Sequence, residues 1–236
     1  MLAAYESIPR KDRVIVALDC DRQTALDLAK KLQGKARWMK VGMTLYYAEG
    51  PAIVEILKLL GFKVFLDLKF HDIPHQVSGA AASAVEAGAD MITMHAVGGV
   101  PMMQAAQEAV DESGSQADTL AITVLTSMNA ETLAETGVNR PMAEQVRALA
   151  LNSQEAGLSG VVASPQEAAM LREVLGPDAL IVTPGVRPVG ADLGDQSRVA
   201  TPKQAFDSGA SHIVIGRPIT QADDPAAAFD AIAAEL

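Results

Sequence analysis

Cysteine is almost absent from this chain. The single one, Cys20, excludes an intramolecular disulfide and any cysteine-rich metal centre. Near the end of an apolar run, it reads as a small buried hydrophobe. Long apolar stretches are missing too, since no window approaches the roughly 18 apolar residues of a membrane span. The N-terminal "MLAAYESIPRKDR" has no apolar core of the signal-peptide kind. A cytoplasmic protein without membrane contact is expected. Positive charge is in the minority, with 19 Lys and Arg against 29 Asp and Glu and a net charge of −10. That balance argues against nucleic acid or an anionic membrane as partner. A small anionic ligand could still be held where a few basic groups gather. No G-x-G-x-x-G follows the first apolar run, which weakens a dinucleotide-binding reading, and no H-E-x-x-H suggests zinc.

What is present is an ordinary globular composition, 49% hydrophobic and 20% charged, in 236 residues that can bury a substantial core. Eight short apolar runs recur: 13–19, 37–42, 63–69, 90–95, 120–128, 160–164, 180–185 and 212–218. They are continuous in Val, Ile and Leu rather than alternating, as strands covered on both faces should be. Between them lie helical segments such as "TALDLAKKLQ" and "QVSGAAASAVEAG", and "SPQE" at 164–167 and "TPKQ" at 201–204 carry capping-box start signals. Eight β-then-α units without a linker predict a single (β/α)8 TIM barrel spanning 1–236 as one domain. A doubly wound open sheet is the alternative.

In such a barrel the functional site lies at the C-terminal ends of the strands. Polar residues are concentrated there. They are Asp19; Lys40; Asp67 and Lys69 with Asp72 just beyond; His95; Thr126 and Ser127; Ser164; Gly185 and Arg187; and Gly216 with Arg217. The densest group is "FLDLKFHDIP", 65–74, where D-x-K-x-x-D spacing ends an apolar run. Burying such groups is costly unless they are paired. They are therefore either an ion network closing the barrel or catalytic groups. The convergence of alternating charges from three neighbouring strands favours catalysis, with each member held ionised and their titrations coupled. His71 and His75 read as solvated or helix-capping, and His95 as pocket-lining or core-bonded. Trp38, Met102 and Met103 read as packing. After the eighth run, Gly216 and Arg217 suit a phosphate, Gly by letting the backbone approach and Arg by its charged fork. The stretch 184–200 is long for a βα loop and reads as a lid that grips phosphate, with Arg187 and Gln196 inside it.

Together these segments resemble the orotidine 5'-monophosphate decarboxylase family. "VALD" at 16–19, "KVG" at 40–42, "FLDLKFHDIP" at 65–74, "LTSM" at 125–128, "TPGVRP" at 183–188 and "GRPI" at 216–219 occur in that family's order. The resemblance implies decarboxylation to UMP in pyrimidine biosynthesis, with no metal and no organic cofactor. It implies Lys69 as proton donor to C6 and Asp67 beside the departing carboxylate, with Lys40 and Asp72 completing the array. Asp19 and Lys40 would hold the ribose, and Thr126 and Ser127 the pyrimidine edge. Arg187, Gln196, Gly216 and Arg217 would hold the phosphate, and Ile73 would also touch substrate. A homodimer sharing Asp72 between sites is likewise implied. Two other readings are a Mg2+-dependent sugar-phosphate lyase or decarboxylase with the same D-x-K-x-x-D strand, and a nucleotide-binding barrel without catalysis.

Overall fold

Eight parallel strands close into a barrel in a computed structural model that describes residues 4–188 and 200–236. They are β1 (Val14–Ala17), β2 (Trp38–Gly42), β3 (Lys63–Phe70), β4 (Met91–His95), β5 (Asp118–Ile122), β6 (Gly160–Val162), β7 (Leu180–Thr183) and β8 (His212–Ile215). Each pairs with the next, and β8 returns to β1 through Val14↔Ile213 and Ile15↔Val214. The fold is therefore the (β/α)8 barrel and not the open sheet. The fifth strand differs most from expectation. It ends at Ile122 instead of 128, because the chain turns where Met128 N–H donates to Leu125 O at 2.9 Å. Asn129 then caps the helix Ala130–Glu135.

The continuous apolar runs conceal an alternation that only the closed barrel reveals. Val14 and Val16 of β1 pack outward against the helix layer, with Met39, Val41, Val64, Leu66 and Ile92. Ile15 and Ala17 point inward, joining Trp38, Phe65, Met91, Leu120, Val182 and Val214. Helices complete the outer layer with faces of ordinary period. In Arg22–Leu32, buried Ala25, Leu28, Ala29 and Leu32 fall at i, i+3, i+4 and i+7. "TPKQ" forms the expected capping box, Thr201 with Gln204, before the helix Pro202–Asp207. "SPQE" departs from it. Ser164 accepts from Gln166 N–H and opens a 3-10 turn, Pro165–Glu167, ahead of the helix Ala168–Leu175. No described helix is long and apolar enough to cross a membrane. Residues 189–199, most of the expected lid at 184–200, and with them Gln196, lie outside the described residues.

The N-terminal end of the barrel is sealed by packing. Tyr5 joins the inner cluster from a 3-10 turn, and the buried Arg13 guanidinium lies 4.9 Å from the Phe206 ring while donating to Ser211 O at 3.1 Å. Trp38 meets His212 edge-on, ring centroids 5.7 Å apart. Burial pushes His212 down to about 3, helped by the charges of Arg13, Lys63 and Arg37, so the imidazole is neutral in the fold. Its folded value lies below its unfolded value near 6.5, so the unfolded chain binds the extra proton. The stability it contributes is complete above about 6.5 and is lost as pH falls towards about 3. Denaturant unfolding across that window should show about 1.4 kcal/mol lost per pH unit from this residue. His212→Phe should remove that slope component, and an unchanged slope would refute the assignment.

Candidate active site

Towards the C-terminal ends of the strands the inward positions turn polar. Trp38 is followed two residues on by Lys40, Phe65 by Asp67 and Lys69, and Met91 by Thr93 and His95. Period-two alternation thus places apolar groups low in the barrel and ionisable groups high in it. They open into a cavity of about 580 Å3 lined by Asp19, Lys40, Asp67, Lys69, Thr126, Arg187, Gly216 and Arg217, among others. That volume suits a small organic ligand.

Four charges form a continuous chain across β1, β2 and β3. Lys40 Nζ lies 2.9 Å from Asp19 Oδ1 and 3.4 Å from Asp67 Oδ2. Lys69 Nζ lies 2.9 Å from the same Asp67 oxygen. The other Asp67 oxygen accepts from the Thr93 hydroxyl at 3.0 Å. Lys40 and Asp67 are only 7% and 8% exposed, so desolvation is severe and pairing decides their state. For Lys40, burial favours the neutral amine, but Asp67 and Asp19 outweigh it and hold the pKa above the usual lysine value. For Asp67, burial favours the protonated acid, but Lys40, Lys69 and the Thr93 hydrogen bond hold it below the usual carboxylate value. Both groups are ionised at neutral pH.

The backbone at Lys69 is unusual. Its φ of +57° is the one positive value at a non-glycine residue among those described. It falls where the β3–β4 register shifts between Leu66 and Phe70. The left-handed conformation costs on the order of 1–3 kcal/mol and is kept only where the surroundings impose it.

The anion-binding candidates follow the ends of β7 and β8. Arg187 is buried, and its N–H donates to Ala200 O at 2.9 Å, closing the base of the 184–200 segment. Gly216 is the N-cap of the short helix Arg217–Thr220, beside the cavity. A Cβ there would meet only Ala17 Cβ at 3.6 Å, so crowding within the described residues does not demand glycine.

Other expected residues are placed differently. Thr126 lines the cavity from the turn after β5, whereas Ser127 is exposed and is not among the residues lining it. Asp72 and Ile73 are exposed at the start of the helix Pro74–Glu86. There Asp72 Oδ1 accepts from Ile73 N–H at 2.6 Å, and neither lines the cavity of its own chain. His95 is half-buried. Burial, with His71 and Lys69 nearby, lowers its pKa, and its ring lies 5.5 Å from that of His71. Cys20 is only half-buried and lines the cavity, and its thiol is pushed up to about 11 by burial and by Asp21 and Asp19, so it is not a thiolate. Sequence reasoning missed Thr93, since threonine inside "DMITMH" looks like any β-branched strand residue. Counting back two from His95 would have put it on the inner face. Among the described residues, no group of three or more His, Cys, Asp or Glu is gathered for a metal.

Residues 12–232 match the Orotidine 5'-phosphate decarboxylase / HUMPS family. The chain is 51% identical to the orotidine 5'-phosphate decarboxylase of Moorella thermoacetica over 233 residues, 96% of this chain and 92% of that protein. It is 49% identical to that of Halorhodospira halophila, covering 98% of each. The crystal structure of orotidine 5'-phosphate decarboxylase from Lactobacillus acidophilus superposes with a TM-score of 0.85 at 40% identity, covering 95% of this chain and 98% of that one.

Proposed function

The chain belongs to the orotidine 5'-phosphate decarboxylase / HUMPS family, and we propose that it converts orotidine 5'-monophosphate to UMP and CO2 in pyrimidine biosynthesis. The observation that carries this reading is the Lys69 ammonium held 2.9 Å from the buried Asp67 carboxylate, on the strand opposite β7 in barrel order. A cation is thereby fixed at one side of the cavity and two arginines at the other. The substrate has matching ends, a pyrimidine carboxylate and a phosphate.

In the proposed reaction the C6–carboxylate bond breaks, CO2 departs, and the electron pair stays on C6 in an sp2 orbital that no ring carbonyl readily delocalises. Lys69 faces that carbon as an ammonium, so its attraction grows as negative charge develops. Only such differential binding accelerates the step. The ammonium then gives its proton to C6, forming UMP, and the neutral amine takes a proton back from solvent. Asp67 pairs with Lys69 at 2.9 Å and places a negative charge beside the substrate carboxylate. Asp19 and Lys40 hold the ribose hydroxyls, and Thr126, which lines the cavity, meets the pyrimidine edge. Arg187, Gly216 and Arg217 hold the phosphate. Gln196, and the lid role of 184–200, rest on the family resemblance. Phosphate binding is remote from the breaking bond, yet it can supply energy for desolvating the site.

The proposal extends to a homodimer in which Asp72 and Ile73 complete the partner's site. Their exposure at the barrel mouth supports it, as do the exposed Met43, Tyr47 and Val97 side chains on the same end. A cytoplasmic setting, where the Cys20 thiol stays reduced, is also proposed, and activity fractionating with membranes would overturn it.

Three measurements test these assignments. Purified protein in EDTA should consume the orotate chromophore of orotidine 5'-monophosphate, and Lys69→Ala should lower turnover more than about 1,000-fold while remaining folded. Turnover only with added Mg2+, on sugar phosphates, would move the chain to the metal-dependent chemistry. Arg217→Ala should cost about 100-fold or more in kcat/KM although it touches no reacting atom, and an unchanged value would remove Arg217 from the phosphate site. Mixing inactive Lys69→Ala and Asp72→Ala chains should restore about a quarter of wild-type activity through hybrid dimers. No recovery, with hybrids present, would end the shared-site proposal.

A further inference from the structure

Thr93 is wholly buried on β4, and its one hydroxyl makes two hydrogen bonds in opposite directions. It accepts from the backbone N–H of Lys69 at 2.9 Å and donates to Asp67 Oδ1 at 3.0 Å. The first contact stands where a ladder bond would stand in a regular strand. The β3–β4 register shifts between Leu66 and Phe70, and Lys69, inside that shift, carries φ +57°. An L-residue does not hold this conformation without a restraint, and the Thr93 oxygen is a restraint on its amide. The second contact fixes the carboxylate. Asp67 Oδ2 already faces Lys40 and Lys69, so a hydrogen bond at Oδ1 sets the rotation of the carboxylate plane.

We propose that Thr93 is a positioning residue for decarboxylation, a threonine hydroxyl that locks the left-handed Lys69 backbone and the Asp67 carboxylate into one geometry. The inference rests on the decarboxylase reading. Thr93 does not line the cavity, so it acts on the reaction only through the two residues it holds. Removing the hydroxyl leaves the Asp67 oxygen and the Lys69 amide each without this partner. Lys69 Nζ can then leave the reacting carbon, while the groups that grip ribose and phosphate stay in place. The cost should fall on kcat rather than on ligand binding, because small misplacements of a catalytic group are expensive and the binding groups are untouched.

The test compares wild type, Thr93→Val and Thr93→Ser, with Thr93→Ala as the second hydroxyl-free variant should Thr93→Val not fold. Thr93→Val should lose on the order of 10- to 100-fold in kcat while Kd for UMP changes less than about 3-fold. Thr93→Ser, which keeps the hydroxyl, should recover to within a few-fold of wild type. Hydroxyl-free variants with wild-type kcat would overturn the inference. So would a parallel loss of kcat and UMP affinity, or an equal loss in Thr93→Ser, since either marks simple packing. Wild type that binds UMP without turnover would instead overturn the decarboxylase reading, and this inference with it.

Discussion

The Asp67 carboxylate is the group on which the rest of the site depends. One oxygen is shared by two ammonium groups and the other is held by a hydroxyl, so the carboxylate links β2, β3 and β4 inside the barrel. An isolated carboxylate at that depth would take up a proton, and an isolated lysine would lose one. Together they remain ionised because each outweighs the desolvation of its neighbour. A barrel interior is well suited to this. Its wall is a closed ring of paired strands, its lower part is packed apolar, and its mouth can keep charge both dry and addressable.

The arrangement also explains why the two ends of the barrel look so different. Low in the barrel, Trp38, Phe65, Met91 and Leu120 fill space, and His212 is admitted only as a neutral ring. High in the barrel, the same strands present Lys40, Asp67, Lys69 and Thr93. Moving two residues along a strand changes packing into chemistry, since the intervening residue faces the helix layer. Stability therefore comes largely from the lower and outer layers. The upper layer holds a strained lysine and four adjacent charges, features that stability alone would not select.

Much of this was readable from the chain. The eight runs located every strand, and D-x-K-x-x-D at the third strand end marked the charged group, because ionisable residues straight after an apolar run demand pairing. Three things were not readable. The end of β5 was overextended, since no Gly or Pro interrupts the run 120–128, and only the Leu125–Met128 turn shows that the chain has left the sheet. Thr93 was hidden because its hydroxyl matters through what lies beside it on β3, a neighbour fixed by register and bulge rather than by sequence distance. The exposed positions of Asp72 and Ile73 follow from where the helix Pro74–Glu86 begins, a boundary that spacing alone does not give.

The β1–β8 seam carries a consequence for how the chain is made. Arg13 reaches Ser211 across 198 residues, and the two strands beside them close the ring. A ribosome releases Asp19, Lys40, Asp67 and Lys69 long before β8 exists. Until that last strand arrives, the inner faces of β1 to β7 have no enclosed interior, and the four charges sit in water at little energetic cost. Their burial thus requires the most sequence-distant strand pairing in the barrel, the kind of contact that forms slowly. A nascent or truncated chain lacking β8 would expose an apolar sheet edge on each side of the gap, a hazard for aggregation. With β8 in place, pairing to β7 and β1 removes both edges.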